Sequence, residues 1–148
     1  MPFYGLAWDV AFAIDLVFAT LGYCLTFRLL DSHIRSSDPT LFGWAVTLAC
    51  YQPFSGFFFN RYLDYQDDVS WGAWLVDMPA LQLLWGLSIL VLLTVHAWSV
   101  LIFGCRFSNL THRGILTHGP FRWTKHPSYL SKNLVWWLIA VPFISEVG

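Results

Sequence analysis

Thirteen residues near the C-terminal end, His118-Gly-Pro-Phe-Arg-Trp-Thr-Lys-His-Pro-Ser-Tyr-Leu130, bring together two histidines, two prolines, two cations and three aromatic rings. Gly119-Pro120 reads as a turn, and His126 is pushed away from helical geometry by the proline that follows it. Pro127 then suits the first position of a helix. The stretch therefore ends in a helix N-terminus whose unpaired amides and dipole favour an anionic group, and Arg122 and Lys125 strengthen that preference. Phe121, Trp123 and Tyr129 add flat faces on which an adenine ring can stack. Together these parts suit a nucleotide-like ligand that carries a carboxylate. The competing reading is that they are membrane-interface anchors, since Trp, Tyr, Lys and Arg all collect at the headgroup level. That reading accounts for each residue singly but not for their order.

The elements that must hold this loop are apolar. Hydrophobic residues make up 57% of the chain and charged residues only 11%, against roughly 45–50% and about 25% in soluble domains. The apolar residues also run together in stretches near the ~20 needed to cross a bilayer. Four spans are expected, at about 6–30, 41–59, 78–103 and 127–145, in an all-α, polytopic integral membrane protein forming a single transmembrane domain over 1–148. Asp77-Met-Pro79 should start the third span, with the carboxylate as cap, and Gly104 should close it. Gln52-Pro53 should kink the second.

The cations fix an orientation. Arg106, Arg113, Arg122, Lys125 and Lys132 lie in or beside the loop at 104–130, whereas Arg61 alone lies between the second and third spans. By the positive-inside bias the 104–130 loop faces the cytoplasm. Counting spans backward puts the loop with His33 and Arg35 inside as well. The N-terminus is then outside, together with the acidic loop of Asp64, Asp67, Asp68 and Asp77. No cleavable signal peptide is read at the N-terminus, and the sequon at Asn109 would face the cytoplasm. Cys24, Cys50 and Cys105 fit neither a disulfide framework nor a zinc motif and are read as small packing residues. No metal site is indicated.

Two polar residues fall inside spans. Asp15 is an intramembrane carboxylate, which is a functional hypothesis by default, weighed evenly against a neutral or paired structural role inside the bundle, and against a place near the outer surface that its closeness to Asp9 allows. His96 is better read as a packed, hydrogen-bonded side chain than as a haem ligand, because no second histidine lies at membrane depth.

The block THGPFRWTKHPSYL resembles the motif of the isoprenylcysteine carboxyl methyltransferase and phospholipid methyltransferase superfamily, in which Gly-Pro-Tyr-Arg is followed by Arg-His-Pro and then a Tyr. Phe121, Lys125 and Ser131 stand where that pattern has Tyr, Arg and often Gly. The resemblance covers roughly Arg106 to Trp137. It implies an integral membrane enzyme that uses S-adenosylmethionine, bound on the cytoplasmic side. By motif match His126, Pro127 and Tyr129, with Lys125, would line the cofactor pocket, and Gly119 and Pro120 would shape its turn. Arg122 or His118 would stand near the polar end of a lipophilic acceptor such as an isoprenylcysteine carboxylate, a thiol or a lipid.

No residue is assigned as catalytic, because a sulfonium methyl is already activated and its transfer needs alignment and dryness more than proton transfer. In the family a second pocket wall follows one further helix and contains a glutamate. The one glutamate here, Glu146, sits too near the end of the fourth span, so the chain is either a fragment or a degenerate relative; a fragment, whose last helix is the first half of a hairpin, is the expectation. The expected partners are membrane lipids and the acceptor, with no nucleic acid. The alternative is a non-enzymatic membrane protein, such as a small haem-binding or transport-associated subunit or an inactive fragment.

Overall fold

The computed structural model describes residues 2–51, 53–57, 69–108 and 111–141. The described chain is mainly α-helical. Helix α1 runs Pro2–Cys24, α2 Leu41–Ala49, α3 Trp71–Trp74, α4 Pro79–Phe103 and α5 Pro127–Ala140. Single turns of 3-10 helix lie at Arg28–Leu30, Gly104–Arg106 and Gly119–Arg122.

Helix α4 is the axis of the fold. Its buried positions, Gly86, Ile89, Leu93, His96 and Val100, recur every three or four residues and so form one stripe along the helix. Two helices pack against it. Tyr4 lies over Gly86, the Phe12 and His96 rings are 5.8 Å apart, and Gly22 abuts Phe107, so α1 runs parallel to α4. Trp85 donates to the Leu138 carbonyl at 2.9 Å while His96 meets Ser128, so α5 runs antiparallel. Ala11, Ile89, Leu93 and Val135 make the shared core, with Trp8, Trp85 and Leu138 packed around it. Small residues on the contact faces, Gly86 and Ser99 on α4 and Ser131 on α5, let the helices approach closely, as in membrane bundles. Other faces are apolar and open: Leu6, Val10, Leu83, Leu84, Val91 and Trp137 are all exposed.

Two helices, Tyr4–Cys24 and Pro79–Arg106, are long and apolar enough to cross a membrane. The other two expected spans are shorter as helices. The first span, expected to reach residue 30, stops at Cys24 because Ser32 folds back beneath it. The Ser32 hydroxyl is buried, donates to the Leu25 carbonyl at 2.5 Å and accepts from the Phe27 amide at 3.1 Å. The second span is helical over Leu41–Ala49 and again over 54–57. The break falls at the expected kink, where Pro53 supplies no amide. Gln52 and residues 58–59 lie outside the described residues. The last helix ends at Ala140, where Val141 turns extended (φ −67°, ψ 135°). That leaves 14 residues, or ~21 Å, and residues 142–145 lie outside the described chain, as does Glu146.

Helix starts follow local chemistry. The Thr40 hydroxyl accepts from the Gly43 amide at 3.1 Å to cap α2, and Ser70 caps α3 by accepting from Ala73 at 3.3 Å. Pro79 opens α4 as expected, but its cap position is Met78, without a side-chain bond, rather than Asp77. Gly104 closes α4 at φ 53°, a conformation that favours glycine. Cys24 and Cys50 are exposed thiols and only Cys105 is partly covered, so the first two are not packing residues.

Candidate functional site

The end of the bundle where α1 and α4 finish and α5 begins is where Arg28, Arg35, Arg106, Arg113, Arg122 and Lys125 collect. Two loops are stitched together there. Ser36–Ser37 pairs antiparallel with Thr111–His112, and the Arg35 amide donates to the His112 carbonyl at 2.8 Å. The Asp31 carboxylate accepts from Arg35 at 2.9 Å and also pairs with Arg106. The Arg35 hydrogen bond, followed by the nearby Arg106 and His33 charges, holds the Asp31 carboxyl below its ordinary value of 3.8. Arg113 is buried and donates to the carbonyls of Gly22 and Cys105. It thereby caps the C-terminus of α1, where helix carbonyls lack partners.

Beneath the stitched loops lies a cavity of about 1080 Å³. Helix α1 contributes Phe12, Asp15, Leu16, Ala19 and Tyr23, and α4 contributes Val100 and Phe103. Phe107, Ser108, His112 and the 114–117 segment form one side, Tyr51 another, and Phe121, Lys125, His126, Pro127, Ser128, Tyr129 and Lys132 complete the wall. His126 holds φ −134°, ψ 62°, outside the helical region, and Pro127 is the first residue of α5, as the proline rule requires. The His126 and Tyr129 rings then stand edge to face, 6.2 Å apart.

Six of the residues singled out from sequence, Asp15, Phe121, Lys125, His126, Pro127 and Tyr129, thus share one cavity. Gly119, Pro120, His118, Arg122 and Trp123 do not line it. Gly119 and Pro120 form a 3-10 turn packed on α4: Pro120 is buried, and Gly119 holds φ 57° against Ile102 and Trp98. His118 and Arg122 are exposed and lie outside the cavity wall. Trp123, 76% exposed, packs edge-on against Trp98, while Phe121 stacks on Phe103 at 5.7 Å. Of the three aromatic residues, Trp123 alone lies outside the cavity wall.

Sequence reasoning did not single out Tyr23, Tyr51, Ser128 or Lys132 for this cavity, and it left Asp15 open between a functional role, a paired or neutral place inside the bundle and a place near the outer surface. Asp15 faces Lys132 across the cavity at 3.9 Å, and the Lys132 ammonium lies 5.6 Å from the centre of the Tyr129 ring. An isolated Asp or Lys at the centre of a membrane helix costs about 3 kcal/mol, so a carboxylate on one such segment is a signal to seek a cation on another. His96 is fully buried. Its Nδ1 shares a hydrogen bond with the Ser128 hydroxyl at 3.0 Å, whereas its Nε2 has no partner among the described residues. This contact ties the start of α5 to the middle of α4. Among the described residues no group of three or more His, Cys, Asp or Glu is placed to hold a metal ion.

Comparison with family models, curated proteins and solved structures gave no match.

Proposed function

We propose that this chain is an integral membrane methyltransferase that moves a methyl group from S-adenosylmethionine to a lipophilic acceptor. The observation that carries the reading is the single cavity of about 1080 Å³ in which Lys125, His126, Pro127 and Tyr129 stand together. Ligand pockets run from roughly 300 to 1,000 Å³, so the space suits a nucleoside-sized cofactor with part of an acceptor beside it. The lining chemistry fits as well. Lys125 and the open start of α5 offer positive potential to a carboxylate, and Tyr23, Tyr51 and Tyr129 offer ring faces to a purine or a sulfonium cation. The cofactor supplies an already activated methyl group. The protein's part is to align donor and acceptor and to keep water out, which asks for no nucleophile beside a base.

A four-pass topology with the N-terminus outside and the 104–130 loop in the cytoplasm belongs to this reading. Parallel packing of α1 and α4 leaves the return along the bundle to the chain between them, and in this reading a second pass that includes α2 makes it. Six cations at one end agree with the positive-inside bias, and the exposed leucines along α1 and α4 agree with lipid contact.

Calorimetric titration of the detergent-solubilised protein with S-adenosylhomocysteine tests the reading. Saturable binding with thermal protection is expected. No heat and no protection at millimolar ligand overturns it.

A further inference from the structure

Asp15 and Lys132 come from different helices, α1 and α5, and both line the cavity. At 3.9 Å they attract one another but lie beyond hydrogen-bond distance. Each is mostly covered, with 18% of the Asp15 side chain and 25% of the Lys132 side chain accessible. Such a pair is neutral as a whole and charged at each end. A ligand with a single charge would satisfy one residue and leave the other unpaired in a poorly solvated place, which is unfavourable. A ligand carrying both an ammonium and an anionic group replaces one pair by two and leaves the net charge at zero. Tyr129, beside Lys132, ties this pair to the motif wall that begins at His126.

We propose that Asp15 and Lys132 form a receptor for a zwitterion, the carboxylate holding the ligand's ammonium and the lysine its anionic group. Two molecules bring that chemistry to a membrane-edge cavity: the amino-acid end of S-adenosylmethionine, and a zwitterionic lipid headgroup. The inference rests on the methyltransferase reading for the first source and is independent of it for the second.

The test compares S-adenosylhomocysteine with methylthioadenosine, which has the same nucleoside and no amino-acid end. Both are titrated into detergent-solubilised wild type, Asp15→Asn, Lys132→Gln and the double variant, whose net charge equals that of the wild type. A second arm measures retention of phosphatidylethanolamine against phosphatidylglycerol through purification, by mass spectrometry. Hydrogen bonds to charged groups are worth enough to change affinity by about tenfold or more. Wild type should therefore prefer S-adenosylhomocysteine over methylthioadenosine by that factor, and each variant should lose the preference while keeping its affinity for methylthioadenosine. If neither nucleoside binds but phosphatidylethanolamine is retained and the variants release it, the zwitterion receptor stands with lipid as its ligand, and the methyltransferase reading fails. If S-adenosylhomocysteine keeps its full advantage in the double variant and lipid retention is unchanged, the receptor is overturned and the methyltransferase reading survives. If no ligand distinguishes wild type from the variants and none binds, both fall.

Discussion

The guanidinium of Arg113 donates to the carbonyl oxygen of Gly22, joining the loop after α4 to the last turn of α1. The bond spans 91 residues of sequence and places a buried cation against carbonyls that the helix itself cannot satisfy. Gly22 is required there because a Cβ would meet the Phe107 carbonyl oxygen at 2.6 Å and its Cβ at 2.9 Å. Arg113→Ala strands buried carbonyls and should cost about 1–3 kcal/mol. Gly22→Ala forces two backbones apart and should cost about 1–3 kcal/mol as overpacking does. Because both act on one junction, the double variant should lose less than the two single losses added together. Tryptophan-fluorescence unfolding in detergent measures all three, and strict additivity would show that the junction does not exist.

The turn that carries the motif depends on Gly119. At φ 57° an L side chain is disfavoured by roughly 1–2 kcal/mol, and a Cβ there would press on the Ile102 side chain. Gly119→Ala should lower stability by about that amount, and trimming the obstacle with Ile102→Val should recover only the packing part of the loss. Full recovery in the double variant would mean that the backbone conformation costs nothing, which contradicts the assigned φ.

Asp31 sets a pH dependence whose sign follows from its lowered pKa. A carboxylate stabilised in the folded state contributes fully above its ordinary value of 3.8. The contribution fades as pH falls through the depressed folded value and is gone below it. Asp31 is 46% accessible, so salt should weaken the effect. Hydrogen exchange at the Arg35 amide, which bonds to His112 across the two loops, should quicken beyond its intrinsic pH trend only below that ordinary value. In Asp31→Asn the protection should be lower at neutral pH and should show no such acid step. Exchange in the variant that matches the wild type at neutral pH would remove Asp31 from the junction.

How much of this was legible in sequence depended on the range of the interaction involved. Pro79, Gly104 and the His126-Pro127 pair act through their own backbone geometry, and the limits of α4 and the start of α5 followed from them. The gathering of cations at one end followed from counting loops. Ser32 ends α1 by folding back seven residues to Leu25, and nothing in the hydrophobic pattern marks it, so the helix stops short of the end of the apolar run at residue 30. The two-residue strands are too short to show alternation. Asp15 and Lys132 lie near opposite ends of the chain, and only the packing of α1 and α5 about the head of α4 brings them together. Pocket residues from the motif were therefore foreseen in part, whereas those supplied by α1 and by Tyr51 were not.

The sharpest check on the site separates residues of one motif by their position. Tyr129 lines the cavity and Trp123 does not, although both are aromatic and lie six positions apart in the same block. Removing an aromatic face that stacks on a base costs about 1–3 kcal/mol, or roughly five- to hundredfold in affinity. Tyr129→Ala should weaken S-adenosylhomocysteine binding within that range. His126→Ala, which removes both a wall residue and the ring set edge-on to Tyr129, should do so as well. Trp123→Ala removes only an exposed ring resting on Trp98 and should leave affinity within about twofold, a difference under ~0.5 kcal/mol. Tyr129→Phe retains the ring and should bind like the wild type if stacking is the contribution. Titrating the four variants side by side decides it: equal losses at Tyr129 and Trp123 would place the ligand on the outer face of the loop, and the cavity would not be its site.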